Sequence, residues 1–165
     1  MIELLAFYVL LTYEPKLPTQ PIHAGSSATL EKKIPSEVTA IRRFFEGYNS
    51  VLANYSQDFY DVSQAQGLDY RILPSISMVE SSGGKNAPSC AKLNPFGWSS
   101  TTSPCGFYRF SSYQEAIHIV GEGLGRNRAY AKFKDTGSIS ELAKVYNPGG
   151  KEKWVKDIKF FMGKL

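Results

Sequence analysis

The stretch "YRILPSISMVESSGGKN", Tyr70 to Asn86, places a strongly apolar run directly before one acidic residue and two glycines. The run predicts a short, strongly apolar helix that leads to Glu80. The segment Ser81–Gly84 then predicts a loop whose backbone can approach a ligand closely, because glycine adds no side-chain bulk. A surface glutamate needs no such setting, so the question is what this carboxyl group does.

A carboxyl group surrounded by apolar side chains has a raised pKa, because burial disfavours its charged form. The neighbours Ile76, Met78 and Val79 predict such surroundings for Glu80. A carboxylic acid that keeps its proton near neutral pH can protonate a departing glycosidic oxygen. The alternative is an ordinary solvated glutamate at the end of a helix.

Length and composition indicate an ordinary folded protein. The 165 residues suffice for one domain with a hydrophobic core, and 42% of them are hydrophobic and 21% charged. The net charge is +4, but residues 126–165 hold ten Lys or Arg against four Asp or Glu, about +6. A basic surface favours an anionic partner such as a cell-wall polymer, an acidic lipid or nucleic acid. The alternative is that these lysines only solvate a helix surface.

Periodic apolar residues predict a mainly α architecture, a single helical domain over residues 36–165. Intervals of three and four mark one helix face. Its positions are Ile41, Phe44, Phe45, Tyr48, Leu52, Tyr55, Phe59 and Val62. Gly47 and Ser50 predict a break into two helices, and Gly67 predicts the end of the second.

Further helices are predicted after the cysteine loop. Ser112 with Glu115, and again Ser138 with Glu141, have the spacing of a helix-starting capping box. A last helix is predicted with one apolar face formed by Trp154, Ile158 and Phe161.

Residues 1–35 differ in composition from the rest. The opening "MIELLAFYVLLTYEP" is apolar for about a dozen residues, too short to span a bilayer comfortably, and it lacks the basic start of a signal peptide. We interpret it as a membrane anchor, the remnant of a secretion signal or a packed helix. The prolines between Glu14 and Pro35 predict a linker.

Cys90 and Cys105 flank a loop rich in Ser, Thr, Pro and Gly. A disulfide between them would stabilise the fold by roughly 3 kcal/mol and would indicate an oxidising compartment. The alternative is two unrelated buried thiols.

Four blocks of sequence together resemble a known family. They are "ESSGGK" from Glu80, "NPFGW" from Asn94, "FYRFSSYQEAI" from Phe107 and "VYNPGG" from Val145. Their order and spacing, over residues 69–161, resemble the glucosaminidase family of bacterial autolysins in the lysozyme-like superfamily. The resemblance implies a lysozyme-like helical domain with a groove. It also implies an extracytoplasmic bacterial enzyme that cleaves peptidoglycan glycan strands at N-acetylglucosamine.

The resemblance implies that Glu80 is the general acid and that Tyr146 matches the late active-site tyrosine. The implied substrate-binding residues are Ser81, Asn94, Phe96 and Trp98. Trp98 also suits a sugar platform on physical grounds, because an aromatic face packs against the apolar face of a pyranose. The alternatives are a core tryptophan at Trp98 and a core or capping tyrosine at Tyr146.

The chain departs from the family in one respect. Residues 81–104 contain no Asp or Glu, although many members have a larger lobe after the catalytic Glu that is proposed to supply a second carboxylate. The candidates elsewhere are Glu115, Glu122 and Asp135, and none stands out. Two alternatives therefore stay open: a lytic transglycosylase on the same polymer, and a wall-binding module without catalytic activity.

Other function classes have little support. "GEGLG" at Gly121–Gly125 lacks the preceding strand of a dinucleotide-binding site. His23 and His118 do not make a metal site, and neither a metal nor a cofactor is expected. Nucleic acid is not an expected partner, because the basic residues are not interleaved with aromatic residues on a recognised binding fold.

Overall fold

Seven α-helices account for most of residues 34–165, the part of the chain that the computed structural model describes. The helices are α1 (Ser36–Gly47), α2 (Ser56–Gln66), α3 (Ile72–Ser81), α4 (Tyr113–Arg126), α5 (Ala131–Thr136), α6 (Ile139–Tyr146) and α7 (Lys151–Met162). Short 3₁₀ segments at Val51–Tyr55 and Arg128–Tyr130 precede α2 and α5. The described residues pack as one unit. The predicted mainly α fold is confirmed.

Helix α3 belongs to the core of the described residues. All residues from Ile72 to Met78 are buried, as expected for a helix that is apolar on every side. It packs against α7 on one side and contacts α2 on another. Its last turn reaches a more open region, and Glu80 there is half-buried. The apolar run thus fixes Glu80 at the edge of the core.

Several predicted helix ends are confirmed. Gly67 ends α2 with a left-handed φ of 61°. The predicted break after α1 is present, but the Ser50 hydroxyl, which accepts from the Leu52 amide at 3.1 Å, caps the 3₁₀ segment Val51–Tyr55, and α2 begins only at Ser56. The Ser112 hydroxyl caps α4 by accepting from the Glu115 amide at 3.0 Å. The return contact of this box differs from the expected one, because the Glu115 carboxylate accepts from the Ser111 amide.

The connection between α3 and α4, residues 82–112, contains the disulfide. Cys90 is bonded to Cys105, as predicted, and the bond encloses the Asn94–Trp98 turn. An isolated antiparallel bridge pairs Ser99 with Phe107 inside the same loop. The covalent link and the bridge each join two parts of this loop and so restrict the conformation of the turn between them.

The predicted apolar segment and linker of residues 1–35 lie outside the described residues, apart from Ile34 and Pro35. Among the described helices, none has both the length and the apolar character needed to cross a membrane.

Candidate active site

The Glu80 carboxyl group contacts the indole of Trp154 from the last helix. The Trp154 Nε1–H donates to Glu80 Oε1 with an N···O distance of 2.6 Å. Burial raises the pKa of the Glu80 carboxyl above its usual value, and the hydrogen bond from Trp154 lowers that pKa by a smaller amount. The net result is a carboxyl group whose pKa lies above its usual value.

The second oxygen of Glu80 lies against Gly97. A Cβ atom at this glycine would be 2.9 Å from Glu80 Oε2, closer than real side chains approach. The φ angle of Gly97 is +61°, which glycine adopts without the steric cost that a Cβ brings. Glycine at position 97 therefore allows the backbone conformation of the turn and leaves room for the Glu80 carboxyl group.

Tyr146 ends α6 and reaches the same turn. Its hydroxyl donates to the Phe96 carbonyl at 2.6 Å, and its ring stacks on Trp154 with centroids 5.3 Å apart and planes at 27°. Burial of the hydroxyl raises the pKa of Tyr146 well above its usual value, and the charges of Glu80 and Tyr130 raise it further. Tyr146 is therefore a neutral hydrogen-bonding group beside the acid.

An open groove of about 360 Å³ has Gly97 in its lining. Its described lining includes Gly97, Trp98, Asn127, Tyr130, Val145 and Tyr146. The Trp98 ring is half-buried, 5.8 Å from the Tyr146 ring and stacked at 6.4 Å with Tyr130. The predicted trio of Glu80, Tyr146 and Trp98 is thus brought together, although Glu80 adjoins the groove through Gly97 and does not line it.

Three predicted substrate-binding residues have a different position. Phe96 and Asn94 have no exposed surface, and Ser81 is 2% exposed, so none of these side chains can contact a sugar directly. The prediction of direct contact is corrected for all three.

The two polar ones hold the loop by hydrogen bonds. The Asn94 carboxamide donates to the Trp98 and Tyr108 carbonyls and accepts from the Trp98 amide, each at 2.9 Å. The Ser81 hydroxyl donates to the Pro95 carbonyl at 2.7 Å and accepts from the Gly84 amide at 2.8 Å. Their role is to build the turn that carries Gly97 and Trp98.

No acidic side chain belongs to the groove lining that the structure describes. Of the three candidate bases, Glu115 is occupied with the start of α4, where its carboxylate accepts from the Ser111 amide and hydroxyl. Glu122 and Asp135 are exposed and are not lining residues. Within residues 34–165, the carboxyl group found at the site is that of Glu80.

Sequence reasoning missed three site residues. Trp154 was predicted only as part of an apolar helix face, and its indole N–H is the sole donor to Glu80 in the described structure. Gly97 was part of a quoted block without a role of its own. Tyr130, with its pKa raised by burial to about 12, had no signal in the sequence beyond being aromatic.

Comparison of this chain with protein-family models, with curated proteins and with solved structures finds no match. The case for a function therefore depends on the chemistry of the site and on the four sequence blocks.

Proposed function

We propose that this protein cleaves the glycan strands of peptidoglycan at N-acetylglucosamine, with Glu80 as the general acid. One observation carries the proposal: a half-buried carboxyl group with a raised pKa adjoins a groove with aromatic walls. Glycosidic-bond cleavage requires an acid that protonates the leaving oxygen, and aromatic rings bind the apolar faces of sugars.

In the proposed reaction Glu80 gives its proton to the glycosidic oxygen as the bond to the anomeric carbon breaks. Trp98 seats a sugar ring, and Tyr130 extends the same aromatic wall. The Tyr146 hydroxyl already donates to the Phe96 carbonyl, so its oxygen is available to accept a hydrogen bond from a substrate acetamido N–H. Glu80 regains a proton from the hydroxyl group that finally attacks the anomeric carbon. In hydrolysis this is the water that opens the intermediate formed with the acetamido group, and in transglycosylation it is an internal hydroxyl of the substrate.

A lytic transglycosylase is the second candidate, because its reaction also needs only one protein acid such as Glu80. An internal hydroxyl of the substrate then attacks the anomeric carbon in place of water and leaves a 1,6-anhydro ring. The hydrolytic route needs water and uses the substrate acetamido group as the nucleophile. Both routes balance with one protein acid, and their products differ by the mass of one water molecule.

The proposed site of action is outside the cytoplasm of a bacterium. The Cys90–Cys105 disulfide supports this, because such bonds persist in oxidising compartments. The excess of basic residues in 126–165 supports attraction to anionic wall polymers.

Digestion of purified peptidoglycan tests the proposal. The chain is expected to release soluble glycan fragments, and mass spectrometry then identifies reducing or 1,6-anhydro ends. Glu80→Gln is expected to lose at least a hundredfold in rate with the fold unchanged. Glu46→Gln is the matched control, because Glu46 is exposed on α1 and away from the groove.

Parental rates in Glu80→Gln would exclude Glu80 as the acid. Binding to the polymer without release of any fragment would instead support the wall-binding module.

A further inference from the structure

We propose that Trp154 is a positioning residue that fixes which oxygen of the Glu80 carboxyl group carries the proton. The proposal rests on Glu80 being the acid of the proposed function, and it adds a residue that acts through Glu80 without touching substrate.

The geometry assigns different roles to the two carboxyl oxygens. An indole N–H donates and cannot accept, so Glu80 Oε1, 2.6 Å from Trp154 Nε1, must accept. A proton on Oε1 in that direction would meet the indole hydrogen. The acid proton is therefore placed on Oε2, the oxygen that lies against Gly97, which is itself part of the groove lining.

The indole itself is held in place. Trp154 is 3% exposed in the packing of α7 against α3, and the Tyr146 ring stacks on it. The Tyr146 hydroxyl in turn donates to the carbonyl of Phe96, and the next residue, Gly97, contacts Glu80 Oε2. These contacts connect α3, α7, α6 and the Asn94–Trp98 turn, and rotation of the carboxyl group to exchange its oxygens breaks the hydrogen bond from Trp154.

Among the described groups that face Glu80, Trp154 is the one that forms a hydrogen bond with its carboxyl group. From α6 the titratable group is Tyr146, whose own pKa is raised in part by the Glu80 charge. From α7 the facing group is the uncharged Trp154, and from the turn it is Gly97. Burial raises the pKa of Glu80 and the indole hydrogen bond opposes it, so loss of the donor moves the pKa upward.

The first test needs no change at Trp154. The chain has two tryptophans, so the indole ¹H–¹⁵N signal that survives in Trp98→Phe belongs to Trp154. In the wild-type protein this signal is expected to shift with pH at the same midpoint as the ¹³C signal of the Glu80 carboxyl group. In Glu80→Gln the pH-dependent shift is expected to vanish. An indole signal of Trp154 that does not move with pH overturns the proposal, even where the protein cleaves no glycan.

The second test compares Trp154→Phe with Trp98→Phe. Trp154→Phe is expected to lower kcat by about 10- to 100-fold with KM little changed, because the acid is misplaced. The same substitution is expected to shift the alkaline limb of the pH–rate profile to higher pH, because Glu80 then stays protonated to higher pH. Trp98→Phe is expected to raise KM and leave that limb in place.

If Trp154→Phe lowers kcat while the alkaline limb of the pH–rate profile and the Glu80 titration stay unchanged, the proposal is overturned and Trp154 acts only through packing. Inactivity of the wild-type protein on peptidoglycan would instead contradict the proposed function. The NMR titrations would still show whether Trp154 hydrogen-bonds to the Glu80 carboxyl group.

Discussion

Replacing Gly97 by alanine tests whether the Glu80 carboxyl group needs the space that a glycine leaves at this position. The new Cβ would be 2.9 Å from Glu80 Oε2, so the carboxyl group must move by a few tenths of an ångström. Its other oxygen is held by Trp154, so the movement strains or breaks that hydrogen bond. We expect a loss of about 1–2 kcal/mol of stability from the left-handed backbone alone. Displacement of the acid is expected to lower kcat by about 10- to 100-fold.

Gly137→Ala is the matched control. The φ of Gly137 is +65° against +61° for Gly97, and no atom lies within 4 Å of its added Cβ. Chemical denaturation is therefore expected to show the same backbone cost in Gly137→Ala, and digestion of peptidoglycan is expected to proceed at the parental rate. Equal rates for the two variants would refute the reasoning.

A double-mutant cycle separates contact from backbone strain. Glu80→Ala removes the carboxyl group that the new Cβ meets, so in this background Gly97→Ala should cost no more stability than Gly137→Ala. If Gly97→Ala still costs more stability than Gly137→Ala in the Glu80→Ala background, the extra loss comes from the turn and not from contact with the Glu80 carboxyl group.

Three further changes test other contacts of the site. Tyr146→Phe leaves the buried Phe96 carbonyl without its donor, and urea denaturation is expected to show a loss of about 1–2 kcal/mol; an unchanged midpoint would contradict this. Cys90→Ser with Cys105→Ser is expected to cost roughly 3 kcal/mol and to lower the rate of glycan cleavage, because the bond encloses the turn that carries Gly97; full activity at the parental melting temperature would show that the loop needs no crosslink. Glu80→Gln is expected to gain stability relative to the wild type as pH rises from 4 to 8. The folded pKa of Glu80 is raised, so its favourable contribution is complete below the unfolded pKa and is lost as pH rises through the folded pKa. Thermal melts at several pH values measure this gain, and parallel curves would contradict it.

Local sequence signals were enough for most of the helices and for the position of Glu80 at the end of a buried one, but the short helix α5 was not predicted. The apolar run before Glu80 predicted a buried helix, and Ser50, Gly67 and Ser112 predicted helix ends, because capping and burial depend on neighbouring residues. The pairing of the two cysteines was likewise available from the loop that they flank.

The side-chain contacts of the site could not be predicted from local sequence signals. Residues Asn94 and Phe96 were expected in the groove, but a tight turn has an inner and an outer side, and sequence does not say which residue faces which. Trp154 is 74 positions from Glu80, and helical periodicity identified its buried face without naming the polar atom that its N–H would meet. Long-range pairing of polar atoms depends on how helices dock, which periodicity does not encode.

The dependence of Glu80 on α7 has a consequence for biosynthesis. Ribosomes release a chain from its N-terminus onward, so α7 is the last of the described helices to emerge. A nascent chain that has reached only α6 contains the acid, the turn and the tyrosine, but the indole donor is still missing. For an enzyme of the proposed kind, full activity would then require that α7 has been synthesised and has docked against α3.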